Sequence, residues 1–160
     1  MTPRPTARRR GTRVRERKAH YTTAAGPVVV DASMAYPWFT NDPDPKGATR
    51  LLETESILLA PDLMAVEVTN AWWKKLRRGE MDVAGIEQAV THLLALEIVW
   101  IEAATLLRPA ARLAAELGHP VYDCIYLALA ASHSAVLATA DVRLRQGAER
   151  VGVRLWSPRG

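Results

Sequence analysis

Short apolar runs alternate with longer amphipathic stretches along most of this chain, and the alternation begins at Val28-Val29-Val30-Asp31-Ala32-Ser33. A β-branched run between Gly26-Pro27 and a carboxylate predicts a buried strand of a parallel sheet. Further strands are expected at residues 57–60, stopped by Pro61, and at residues 135–139 and 153–156. Residues 98–101 read as a strand or an extended connection.

Between these runs the apolar positions recur at helical spacing. A short helix is expected over residues 34–40 despite Pro37, and another from Asp44-Pro45, an N-cap and first-turn pair, through Leu51-Leu52. The clearest helix covers residues 62–78. At about 100° per residue, Val68, Trp72 and Leu76 form its core stripe, and Glu67 and Asn70 share a neighbouring face near its start. Its closing cluster of Lys74, Lys75, Arg77 and Arg78 suits a helix C-terminus without further purpose. The next helix opens at Asp82 and should bury Ile86, Ala89, Val90, Leu93 and Leu94. Another runs from about Leu106, with Pro109 in its first turns, to Gly118. A helix through Ile125, Leu127 and Leu129 and a short one over residues 142–150 complete the series. Strand and helix in alternation predict an α/β fold with a mainly parallel sheet.

Composition narrows the class. With 160 residues, 49% of them hydrophobic, the chain can build one domain with a core, and no apolar run reaches the 18 residues that a membrane span needs. The single cysteine, Cys124, excludes an intramolecular disulfide and is expected to pack as a small hydrophobe, which suits a reducing, cytoplasmic setting. Charge is unevenly spread. Residues 1–24 hold eight Lys and Arg against Glu16, whereas the remainder carries 13 basic and 16 acidic residues. Residues 1–26 are therefore expected to be a basic, disordered extension: a transit-like segment, an RNA-binding arm or translated upstream sequence. The domain proper is expected over residues 27–158.

Four acids stand out by position. Asp31 and Asp141 each follow a strand, Asp123 opens a helix, and Glu67 lies on a helix that follows another strand. Strand carboxyl ends form the ligand-binding edge of open α/β sheets, so a parallel sheet would let all four converge. Asp31 reads equally well as a helix cap, and so do Ser33 and Thr139. Two carboxylates about 4 Å apart repel by roughly 4 kcal/mol at an effective dielectric near 20. A hard divalent cation, Mg²⁺ or Mn²⁺, with oxygen ligands offsets this repulsion. Zinc does not fit, because Cys124 and the four histidines, His20, His92, His119 and His133, lack ligand spacing and read as structural or exposed. An acidic metal site suits phosphodiester hydrolysis, with Ser33, Asn70 and Thr139 holding water or the scissile phosphate.

The strings VVVDAS, PDLMAVEVTNAWWK, HPVYDCIYLALA and LATADVRL, in this order, resemble a PIN domain of the VapC toxin type over residues 27–158. The resemblance implies a three-layer α/β/α fold and a Mg²⁺- or Mn²⁺-dependent endoribonuclease acting on structured RNA of the tRNA or rRNA class. It also implies a homodimer and a cognate VapB-like antitoxin. By position Asp31, Glu67, Asp123 and Asp141 match the acidic quartet that is both catalytic and metal-binding, and Ser33, Asn70 and Thr139 match its supporting polar places. The basic extension, Leu144 in place of an aromatic, and Pro37 within the first helix depart from the pattern. Trp73 falls off both the core stripe and the Glu67 face and is expected at a dimer or antitoxin surface, or partly buried on a neighbouring helix. The competing reading is a catalytically silent PIN-like module that binds RNA or a partner. A haloacid-dehalogenase-like phosphatase would need an acid where Ser33 stands, and a receiver domain would need an adjacent acidic pair.

Overall fold

The computed structural model describes residues 26–158, so the expectation of a disordered extension over residues 1–26 falls almost wholly outside it. Strand β1 (Val28–Val30) leads into a one-turn helix α1 (Ala32–Ala35), and two 3-10 segments follow at Tyr36–Phe39 and Pro45–Glu53. Next come β2 (Leu58–Pro61), α2 (Leu63–Arg77), α3 (Val83–Ala95) and β3 (Ile98–Ile101). The chain closes with α4 (Ala103–Leu117), α5 (Val121–Ser132), β4 (Val136–Ala138) and α6 (Val142–Arg150). The four strands form one sheet in the order β3-β2-β1-β4, and every pairing is parallel. Helices flank this sheet in an α/β/α arrangement.

This order places a topological switch beside β1. The chain moves outward from β1 to β2 and β3, then returns to add β4 on the other side of β1. Val30 pairs with Ala138, so Asp31 and Thr139 leave the sheet side by side. A ligand crevice is expected at such a point, outside the strands' carboxyl ends. β1 is buried along its whole length, as a strand covered on both faces must be. Helix α5 is buried from Cys124 through Ala130, because it packs on the sheet and is itself covered by α4.

Several boundaries differ from the pattern-based reading. Pro37 ends α1 after four residues and opens the first 3-10 segment. Trp38 and Trp72 anchor that segment: Trp38 Nε1 donates to the Ala48 carbonyl at 2.9 Å, and Trp72 Nε1 to the Tyr36 carbonyl at 3.3 Å. Asp44 does cap the following segment, taking the Thr49 hydroxyl at 2.6 Å, but the turns are 3-10 and not α-helical. Helix α4 begins at Ala103 because Asp62, at the end of neighbouring β2, accepts the Ala103 backbone N–H at 2.9 Å; Pro109 therefore lies inside the helix. The expected strand over residues 153–156 is reduced to a single bridge between Leu155 and Leu137. Leu94 is exposed, because the inward face of α3 is carried by Ala89 and Leu93.

Lys75 departs most from expectation. Its ammonium is buried against Asp42, with 2.9 Å to each carboxylate oxygen, and lies 3.5 Å from Glu80. The Lys75 ammonium, then the hydroxyls of Tyr36 and Thr40, hold the Asp42 carboxyl down at about 2. Asp42 thus contributes stability that is fully present above about pH 4 and lost as pH falls toward 2. Lys75→Met is expected to cost about 1 kcal/mol at neutral pH, given partial solvent screening. Urea unfolding of both proteins at pH 6 and pH 3 checks this, with the difference between them shrinking at the lower pH.

Candidate active site

Asp31 is 7% exposed at the carboxyl end of β1, a costly place for a charge. Its Oδ2 accepts the Ser33 hydroxyl, the Thr139 hydroxyl at 2.8 Å and the Ser33 backbone N–H at 3.4 Å. The two hydroxyls are held in turn from the β4 side: Ser33 Oγ accepts the Ala140 backbone N–H at 2.9 Å, and Thr139 Oγ1 accepts that of Asp141 at 3.0 Å. Asp31 caps α1 and Asp141 caps α6, the latter accepting the Leu144 N–H at 2.9 Å. Capping and a place at the crevice are therefore one arrangement, because each helix starts where its strand ends.

Glu67 lies in the second turn of α2, half-buried, and its Oε2 accepts the Tyr126 hydroxyl. Asp123 sits in the first turn of α5, also half-buried, and Asp141 is exposed at the start of α6. Burial raises the Asp31 carboxyl above its usual range against the hydrogen bonds from Ser33 and Thr139. Glu67 is raised by burial and by the negative charges of Asp31 and Asp123, with the Tyr126 hydrogen bond opposing. Asp123 is raised by burial and by Asp141, and lowered in part by Arg143 and His119. The four acids thus form a chain of like charges, Asp31 to Glu67 to Asp123 to Asp141. Among the described residues none of the four makes an ion pair with Lys or Arg.

The side chains do not all meet at one point. Among the described residues, no three His, Cys, Asp or Glu groups converge closely enough to hold one ion together. A Mg²⁺-type ion is commonly held by one or two carboxylates, with water in its remaining positions, so it needs no threefold cluster. The donor set is all oxygen and, among the described residues, makes no ion pair with Lys or Arg, and both features fit such an ion. Ser33 and Thr139 are brought to the site as supports of Asp31. Asn70 is exposed, and its side chain makes no hydrogen bond within the described residues. Cys124 is buried, as expected of a small hydrophobe, and Trp73 is 46% exposed with the Arg77 guanidinium 5.6 Å from its ring. A cavity of about 840 Å³ lies at the opposite edge, where Val28 and Val136 begin their strands, and takes no part in this site.

Tyr126 was not singled out from the sequence. It is 2% exposed and three residues beyond Asp123, so both fall on one face of α5, and that spacing was the available signal.

Removing one of the crowded charges should stabilise the protein when no metal is present. Asp123 has a raised carboxyl in the folded state, so its ionisation works against folding as pH rises above about 4. Asp123→Asn is expected to raise the melting temperature in chelator at pH 7 by roughly 1–3 °C, with the gain fading toward pH 4. Calorimetric scans at the two pH values check this.

Comparison with known proteins agrees with the geometry. The PIN domain family model matches residues 28–150. Ribonuclease VapC3 of Pyrobaculum aerophilum is 33% identical over 123 residues, which is 74% of this chain and 92% of the relative. The crystal structure of PAE2754 from Pyrobaculum aerophilum superposes with a TM-score of 0.62 at 27% identity, covering 78% of this chain and 86% of that one. The structure of Mycobacterium tuberculosis VapC20, described as a sarcin-ricin loop cleaving toxin, gives 0.63 at 15% identity, covering 82% and 99%, and bears on the fold alone. With the switch-point acids in place and the match spanning nearly all of the described fold, the chain belongs to the PIN-domain family, as a ribonuclease toxin of the VapC type from a toxin-antitoxin system.

Proposed function

We propose that this protein is a Mg²⁺- or Mn²⁺-dependent endoribonuclease that hydrolyses phosphodiester bonds of structured RNA, of the tRNA or rRNA class, through Asp31, Glu67, Asp123 and Asp141. The observation that carries this reading is the placing of four carboxylates at the carboxyl edge of the sheet with no Lys or Arg ion pair among the described residues. Three of them are pushed upward by burial, and Glu67 and Asp123 also by neighbouring carboxylates. A purely structural edge has no use for such an arrangement. A silent binding module would also have no need of all four acids.

One or two of the four carboxylates would hold the cation directly, and the others would reach it through water. When bound, the ion supplies Lewis-acid stabilisation of charge on the phosphoryl oxygens and makes a nearby water easier to deprotonate. The chain's own residues do the rest. Ser33 and Thr139 favour the charged form of Asp31 against its burial and fix it at the end of β1. Carboxylates with raised affinity for protons, Glu67 and Asp123, are suited to accept the proton from the attacking water. The water oxygen forms a new bond to phosphorus as the phosphorus bond to the leaving oxygen breaks, and solvent protonates the leaving oxygen. Asn70, exposed on the Glu67 side of α2, is free to meet a phosphate oxygen from the RNA.

The partners follow from the same surface. A VapB-like antitoxin would occupy the face around the acids, where Tyr122 and Val142 are exposed beside Asp123 and Asp141. Val66 and Trp73, exposed on α2, offer apolar area for a homodimer or for the antitoxin. No helix among the described residues is long and apolar enough to cross a membrane.

Purified protein incubated with total cellular RNA should yield discrete fragments with Mg²⁺ or Mn²⁺. It should yield none with chelator, and Asp123→Asn should lower the rate at least about 100-fold. Because that variant is expected to fold at least as well as the parent, its inactivity would report chemistry. Folded, metal-loaded protein that leaves every RNA intact would support the silent binding module instead.

A further inference from the structure

Glu67 occupies a position that should not hold a carboxylate still. It is half-buried, it faces repulsion from Asp31 and Asp123, and no Lys or Arg among the described residues pairs with it. A flexible acid so placed gains by turning toward water. What opposes that turn is one donor, the Tyr126 hydroxyl on Oε2. Tyr126 cannot swing away, since it is 2% exposed in the core. Its ring belongs to the core, where a phenylalanine would fill the same volume. Its hydroxyl donates to Glu67 and also meets the Ala32 backbone N–H, so it is fixed from the β1–α1 side as well.

We propose that Tyr126 is a positioning residue of the cation site, whose hydroxyl takes one oxygen of Glu67 and leaves the other aimed beside Asp31 and Asp123. Helix α5 then supplies from one face both an acid, Asp123, and the support of a second acid from α2. Carboxylates that bind metal are commonly held this way, with a fixed donor on the oxygen turned from the ion, and that donor sets the ligand's orientation. This inference rests on the metal-dependent reading of the site.

Mn²⁺ titration of the full chain by calorimetry, with wild type, Tyr126→Phe, Glu67→Gln and the double variant, tests it. Tyr126→Phe should weaken Mn²⁺ binding by about 10- to 100-fold while the melting temperature stays close to that of wild type. Because Tyr126 acts through Glu67, adding Tyr126→Phe to Glu67→Gln should weaken binding no further. A structural role in the core would not produce that non-additivity. Unchanged Mn²⁺ affinity in Tyr126→Phe, or an equal loss in the Glu67→Gln background, overturns the proposal while leaving the metal site intact. Wild type that binds no Mn²⁺ overturns the metal reading and this inference together.

Discussion

The structure depends on how one buried carboxylate is held. Asp31 ends the central strand at the point where the sheet changes direction, and a bare charge there would be unsustainable. Hydroxyls from Ser33 and Thr139 converge on its Oδ2, and each hydroxyl is anchored by a backbone N–H beyond β4. The same few bonds join β1 to β4, start α1 and α6, and place Asp141 on the same edge. A fold that buried Asp31 without this clasp would neutralise it by protonation, and the site would lose its most central negative charge.

Around that clasp, the other acids arrive on separate elements and repel one another. α2 brings Glu67, α5 brings Asp123 and α6 brings Asp141. Three of the carboxyls are pushed upward, which is not what stability alone would select. Such local conflict, in a domain whose caps, core stripes and strand runs otherwise agree, is where function is expected to sit. By contrast Lys75 and Asp42, also charged and partly buried, satisfy each other and lower the energy of the fold.

The parts of this picture that were legible in the sequence are those that depend on neighbours in the chain. Asp31, Asp44 and Asp82 cap the helical segments that follow them, so residue type and the next apolar position suffice to read them. The acids were legible as a set because each falls just beyond a strand or in the first two turns of a helix. What escaped depends on distant partners. The Tyr126 bond to Glu67 spans 59 residues and the Lys75 bond to Asp42 spans 33, so neither leaves a local pattern. Lys75 looked like an ordinary basic helix end because its target is a loop acid brought near by the 3-10 turns after Pro37. The last strand failed because its apolar run pairs at Leu155 alone. The start of helix α4 leaves no local pattern, because the side chain that caps it, Asp62, lies 41 residues earlier.

The central claim is that the acids at the switch point are held under burial and repulsion that a divalent cation relieves. Carbon-detected NMR titration of the side-chain carboxyls, first without metal and then with saturating Mg²⁺, tests it most directly. The account predicts that Asp31, Glu67 and Asp123 titrate above ordinary carboxyl values in the absence of metal, and that their midpoints fall when Mg²⁺ is added. Ordinary midpoints without metal, or raised midpoints that neither Mg²⁺ nor Mn²⁺ moves, would contradict it.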